Sequence, residues 1–231
     1  MIRRWTSQKV WVLFFIWGTL FDCAPVSSGC SYEFQQIGQT LPPGWRRLEG
    51  VVVMPIEEDK LMIGMQTKEK YGGFPFTHSY IVWRGKRFDG DPIRIRSPRS
   101  SSKNMVTDNS IIFEYKIDDP EIAKNLDEAF SKQNRFTFTC AEGNCSILKQ
   151  AGLEPGMGTV SQLFPSRLMD KLLTAGLVSR DGKMLDFKVV QLGELPVERA
   201  INEGFPVEVG RAVTYMVFVG GAAYLICDAA D

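Results

Sequence analysis

An α+β fold is predicted for this chain, and three observations predict it. Runs rich in β-branched and aromatic residues recur at Val51–Met54, Leu61–Met65, Phe74–Trp83, Ile111–Ile117 and Phe187–Leu192, and such residues suit a pleated, half-buried surface. Helical periodicity is confined to a few segments that carry cap residues at their ends. The 231 residues can bury one sizeable core, and neither an internal repeat nor a linker divides them.

Each element has its own justification. Tyr32–Leu48 reads as a polar approach with a turn at Pro42-Pro43-Gly44. Val51–Met54 and Leu61–Met65 are strands around the acidic turn Glu57-Glu58-Asp59. Gly72-Gly73 is the turn before the Phe74–Trp83 strand, which Arg84-Gly85 closes. Pro92–Arg96 alternates apolar and basic residues, as a strand with one wet face does. Asp119-Pro120 supplies an N-cap and a proline at the first helical position. Ile122, Leu126, Ala129 and Phe130 line the buried face of the helix that follows. Pro165–Ala175 is a second amphipathic helix, with Leu168, Met169, Leu172 and Leu173 inward and Gly176 as its stop. A short helix is expected at Val197–Asn202.

The two ends differ from this middle. Arg3, Arg4 and Lys9 form a basic stretch before the uncharged run Val10–Phe21, the layout of an export signal over residues 1–30. Ser27-Ser28-Gly29-Cys30 is similar to a bacterial lipobox with Ser in place of Leu, which makes Cys30 the candidate lipidation site. Cleavage after another small residue, or an uncleaved anchor, are the alternatives. The folded domain is then expected over residues 31–210, and residues 211–231 form an apolar segment. Its uncharged run Ala212–Cys227 is a little short for a membrane span. Membrane contact is the favoured reading, against a core helix or a hairpin turning at Gly220-Gly221.

Charge and cysteine content narrow the function. Lys+Arg and Asp+Glu are equal at 27 each, so net charge gives no argument for a nucleic-acid partner. No Gly-rich phosphate loop and no metal-ligand cluster is present in the sequence, and no cofactor or metal is expected. An exported chain cleaved before Cys30 and lipidated there is left with the thiols of Cys140, Cys145 and Cys227, which is not a disulfide framework. A Cys140–Cys145 bridge competes with a free nucleophile.

The chemistry concentrates in Phe136–Gly152. Asn144 is a good N-cap residue, so the reading is a turn at Glu142-Gly143 and then a short helix with Cys145 in its first turn. Ile147, Leu148 and Ala151 share one face of it, and Gly152 ends it. First-turn N–H groups and the helix dipole favour a thiolate there. Cys140, in an alternating stretch ahead of this helix, is expected to be inert. His78 is the sole histidine, so any thiol–imidazole pair must use it. Asp89 and Asp91 are the carboxylates spaced to orient His78, although Asp89-Gly90-Asp91 also reads as a turn. Arg84, Lys86, Arg87, Arg94, Arg96 and Arg99 form a basic set, solvated or attracting anionic groups. Arg84, Arg94 and Asn144 are the candidate substrate-binding residues.

A His on a strand, then a helix, then Asn144-Cys145 opening another helix resembles the circularly permuted papain-like fold, the NlpC-type superfamily with His before Cys. Lecithin:retinol acyltransferase and the permuted deubiquitinating peptidases belong to that superfamily. Phe164-Pro165-Ser166-Arg167-Leu168 resembles the family's Thr-Pro-x-x-Leu element, with Phe in place of Thr. The resemblance covers roughly Val51 to Val178. It implies an antiparallel sheet packed against the nucleophile helix. It also implies a thiol hydrolase or acyltransferase acting on an amide or ester, with Cys145 and His78 as its reacting pair. A bacterial cell-envelope location, and a membrane-lipid or envelope peptide or ester substrate, go with the export signal. The alternative is an inactive papain-like lipoprotein serving in binding or assembly.

Overall fold

The computed structural model of the protein describes residues 32–38, 40–66, 70–71, 74–75, 78–89, 99–100, 103–132, 139–155 and 164–193. The expected signal with Cys30, the Pro92–Arg96 strand with Arg94, Asp91, the Val197–Asn202 helix and the apolar tail lie outside the described residues.

The α+β expectation agrees with the structure. A seven-stranded sheet runs in the order β1 (Glu33–Ile37), β14 (Phe187–Leu192), β11 (Ser110–Lys116), β4 (Lys60–Gln66), β7 (His78–Trp83), β8 (Lys86–Phe88), β9 (Arg99–Ser100). Its pairings are antiparallel except β1 with β14, which is parallel. A three-stranded sheet has the order β10 (Asn104–Thr107), β3 (Val51–Met54), β2 (Arg46–Leu48). Two short pairs, β5 (Lys70–Tyr71) with β6 (Phe74–Pro75) and β12 (Leu153–Glu154) with β13 (Val178–Ser179), complete the strands among the described residues.

One expectation about strands is corrected. Tyr32–Leu48 is not merely an approach, because it contains β1 and β2. In β1 only Ile37 is buried, and all of β2 is exposed, so neither carries the apolar alternation that marks a strand in sequence. The strands flanking Glu57-Glu58-Asp59 do not pair with each other: β3 belongs to the small sheet and β4 to the large one.

Three helices are described: α1 (Pro120–Ser131), α2 (Cys140–Gln150) and α3 (Pro165–Ala175). Asp119 caps α1 by accepting from the N–H groups of Glu121 and Ile122, a contact worth about 1 kcal/mol. α3 ends where Gly176 turns to φ 64°. The helices cover one face of the large sheet. Leu61, Ile63, Ile81, Trp83 and Phe113 there meet Leu126, Phe130, Cys145, Leu148, Leu168 and Leu172. The opposite face carries Met62, Tyr80, Val82, Ile112 and Val190 and packs against Val52, Met54 and Val106 of the small sheet. β4 and β7 are therefore buried on both faces, which accounts for their near-continuous apolar sequences.

α2 differs from its expected form. It begins at Cys140, with Thr139 as N-cap accepting from Glu142 N–H. Glu142 and Gly143 are helical rather than a turn, and Asn144 and Cys145 lie past the first turn. The expected stop is present, since Gly152 adopts φ 85°.

Gly64 of β4 faces Tyr80 of β7 across the ladder. A methyl group at Gly64 would fall within the Tyr80 ring, whose hydroxyl donates to Ser110 Oγ at 3.0 Å and accepts from Thr107 N–H at 3.1 Å. Gly64→Ala is expected to lower unfolding free energy by about 1–3 kcal/mol through overpacking. Urea denaturation with an unchanged midpoint would contradict this packing.

Candidate active site

β7 and β8 are joined by a two-residue loop, Arg84-Gly85, with φ 47° and 72°. Positive φ at both positions is the mark of a type I′ hairpin, whose twist matches the strands it joins. The register pairs Trp83 with Lys86, Val82 with Arg87 and Ile81 with Phe88. Side chains alternate along a strand, so His78, Tyr80 and Val82 share a face with Arg87 and Asp89 across the hairpin. Asp89 is thus the diagonal neighbour of His78. Its Oδ1 lies 3.3 Å from His78 Nε2, and the same oxygen accepts from Arg87 Nε at 2.8 Å and Nη2 at 2.5 Å. The Arg87 guanidinium lies 3.9 Å from the centre of the Tyr80 ring, a cation–π contact that holds it in the face.

With Nε2 on Asp89, Nδ1 is the His78 nitrogen left for the neighbouring Cys140 thiol, whose charge acts to raise the imidazole. Cys140 occupies the first residue of α2, where free N–H groups and the positive end of the helix dipole favour negative charge. Ser79 N–H donates to Cys140 Sγ at 3.4 Å. Cys140 as a residue is 8% exposed and the His78 side chain 19%, so the pair is sheltered.

Burial and charge oppose each other in this cluster, and charge prevails. Burial alone would raise the Cys140 thiol and lower His78. The neighbouring imidazolium instead holds the thiol below the ordinary 9.0. The Cys140 charge and the Asp89 hydrogen bond together raise His78 to about 10. Asp89 is held well below the usual carboxylate range: burial pushes it up, but the His78 hydrogen bond and the Arg87 charge outweigh that. Each charge thus favours the other: the imidazolium lowers the thiol and the thiolate raises the imidazole.

The sequence-predicted residues fall in different places. His78 and Asp89 are brought together. Cys145 is not brought to them: it is 1% exposed among Leu148, Ile147 and the sheet, and burial pushes its thiol up to about 12. The physical reason is the helix start, because the dipole's effect fades within the first turn and Cys145 lies beyond it. Asn144 is fully buried rather than a cap, and its Nδ2 donates to Ser79 Oγ at 3.0 Å. Arg84 lies beyond the far end of β7, about 20 Å along the strand from His78. There it is committed to Asp127 Oδ2 at 2.6 Å and Glu58 Oε2 at 3.1 Å. Asp91, Arg94 and Cys30 lie outside the described residues. Cys140 and Cys145 are both free thiols, so the bridge between them is not formed. Among the described residues no three His, Cys, Asp or Glu side chains converge as a metal site requires, and no helix is long and apolar enough to cross a membrane.

Cys140, Arg87 and Ser79 are the members that sequence reasoning missed. The signal for Cys140 is Thr139-Cys140-Ala141-Glu142, the Ser/Thr-x-x-Glu pattern of a helix start. The signal for Arg87 is its two-residue spacing from Asp89 on one strand. No family model, no curated protein and no solved structure matches this chain.

Two outcomes follow for titration. In reduced, folded protein, iodoacetamide should modify Cys140 more than about a hundredfold faster than Cys145 at pH 7, since His78 lowers the former thiol and burial raises the latter to about 12. Peptide mass spectrometry checks this, and equal rates would contradict the geometry. Asp89 has its folded pKa below the unfolded 3.8, so its stabilising contribution is full above that value and is lost as pH falls through the folded pKa. Acid unfolding of the wild type should therefore steepen below about pH 4. Asp89→Asn should remove that part of the acid dependence and be less stable at pH 7.

Proposed function

We propose that this chain is a thiol hydrolase or acyltransferase acting on an amide or ester, with Cys140 as nucleophile, His78 as its acid–base partner and Asp89 as the group that orients His78. The observation that carries the reading is the His78–Asp89 contact at 3.3 Å with the Cys140 thiol, at a helix start, within the electrostatic reach of His78. The order of these parts, a histidine strand followed by a cysteine helix packed against its sheet, supports a permuted papain-like arrangement. The envelope location and the lipid or envelope peptide or ester substrate are part of the same reading, and they rest on the basic-then-apolar N-terminus.

The reaction follows from the residues. Thiolate Sγ attacks the carbonyl carbon, and the negative charge moves to the carbonyl oxygen. Of the first-turn donors of α2, Glu142 N–H is taken by Thr139 Oγ1 and Gly143 N–H by Thr139 O. The Cys140 and Ala141 N–H groups remain to stabilise the oxyanion. As the tetrahedral species collapses, the C–N or C–O bond breaks and the leaving group takes the proton from His78. This leaves an acyl-thioester on Cys140. Water or an amine, deprotonated by the now neutral His78, attacks the thioester and releases the thiolate. Asp89, fixed by Arg87, keeps the imidazole aligned through both steps.

Labelling with a thiol-reactive acyl probe tests the reading. Modification is expected at Cys140 alone. Cys140→Ala should abolish labelling and reduce turnover by several orders of magnitude, whereas Cys145→Ala should retain both when circular dichroism is unchanged. A folded wild-type protein that takes no label would favour the inactive binding module.

A further inference from the structure

Among the described residues, antiparallel pairing leaves a definite position open at the end of β7. Trp83–Lys86 closes the hairpin and Ile81–Phe88 is the next pair two residues on, the spacing at which residues exchange hydrogen bonds across a ladder. Ser79 is the next residue of β7 in that series, and it lies beyond the end of β8. Among the described residues its N–H has no strand partner on that side, and it donates to Cys140 Sγ at 3.4 Å. Such a donor favours the charged sulfur over the neutral thiol, because a charge-assisted hydrogen bond is the stronger one.

What keeps Ser79 in that orientation comes from α2. Asn144 lies four residues after Cys140, on the same face of the helix. Its Nδ2 donates to Ser79 Oγ at 3.0 Å, and both residues are 0% exposed. Asn144 Oδ1 is buried without a hydrogen-bond partner among the described residues. An orphaned acceptor in a core position is a cost that an apolar side chain of like size would avoid, so stability alone does not account for an amide there. The same helix thus supplies the sulfur and fixes the residue that donates to it.

Resting on the cysteine-hydrolase reading above, we infer that Ser79 and Asn144 form a positioning pair, which holds the Ser79 N–H against the Cys140 sulfur and so maintains it as a thiolate. Neither side chain touches substrate. Asn144 sets Ser79, and the Ser79 backbone acts on the sulfur.

The pH dependence of Cys140 alkylation by iodoacetamide, read at the Cys140 peptide of the full chain, tests this. Ser79→Ala keeps the backbone N–H and removes one oxygen. It should move the acid midpoint upward and slow alkylation at pH 6 about tenfold, the equivalent of one pKa unit. The rate at the alkaline plateau should stay within about twofold, because the thiolate's intrinsic reactivity is little changed. Asn144→Ala should act in the same direction, and Ser79→Thr, which restores a hydroxyl, should return the wild-type midpoint. If Asn144→Ala fails to fold, Ser79→Ala and Ser79→Thr carry the test. A midpoint moved by His78→Ala but unmoved by Ser79→Ala overturns the positioning role alone. A midpoint that His78→Ala also leaves unmoved overturns the thiolate–imidazolium pair, and the positioning role with it.

Discussion

The register of the β7–β8 hairpin is the constraint on which the site depends. Arg84 is held at φ 47°, an uncommon conformation for a residue with a side chain. The fold supports it from several directions. Arg84 reaches Asp127 of α1 and Glu58, and Asn104 Oδ1 accepts from Gly85 N–H at 2.9 Å. A loop one residue longer would shift Asp89 to the opposite face of the sheet, since a slip of one residue inverts every side chain. The ion pairs around Arg84 therefore act on the chemistry from the far end of the strand, by fixing which residues of β8 face His78.

A second theme is the use of one oxygen. Asp89 Oδ1 receives both Arg87 contacts and the His78 contact. Arg87 is in turn fixed by the Tyr80 ring, and Tyr80 fills the space that Gly64 leaves open. Core packing, a cation–π contact and an ion pair thus lie in series between β4 and the imidazole. Each holds the next, and none is exposed enough to be strongly screened by solvent.

Much of the architecture was legible in the sequence. β3 and β14 match their apolar runs residue for residue, and α1 and α3 match their proline starts, with Gly176 at the α3 stop. Those signals are local. What sequence did not disclose is set by position in space. β1 and β2 are polar because they are edge or exposed strands, so their periodicity is weak. In the candidate site, two good N-cap residues competed, Thr139 and Asn144, and cap preference alone favours Asn. Tertiary burial decided otherwise: Asn144 is enclosed between α2 and β7. The five-residue displacement of the helix start exchanges the environments of the two cysteines. One thiol gains the dipole and the imidazole, and the other becomes a small core hydrophobe.

The early end of β8 gives the sulfur of Cys140 a second identity, as a surrogate acceptor in the β-sheet ladder. A carbonyl oxygen in that position would be chemically constant, but a sulfur changes with every covalent state it enters. In the reaction proposed above, an acyl group on Sγ would remove the charge that the Ser79 amide faces, and hydrolysis would restore it. The amide proton of Ser79 would then be a built-in reporter of the covalent state of the sulfur. Its nuclear magnetic resonance frequency and its rate of exchange with solvent depend on whether the nucleophile is free or occupied, with no label attached to the protein.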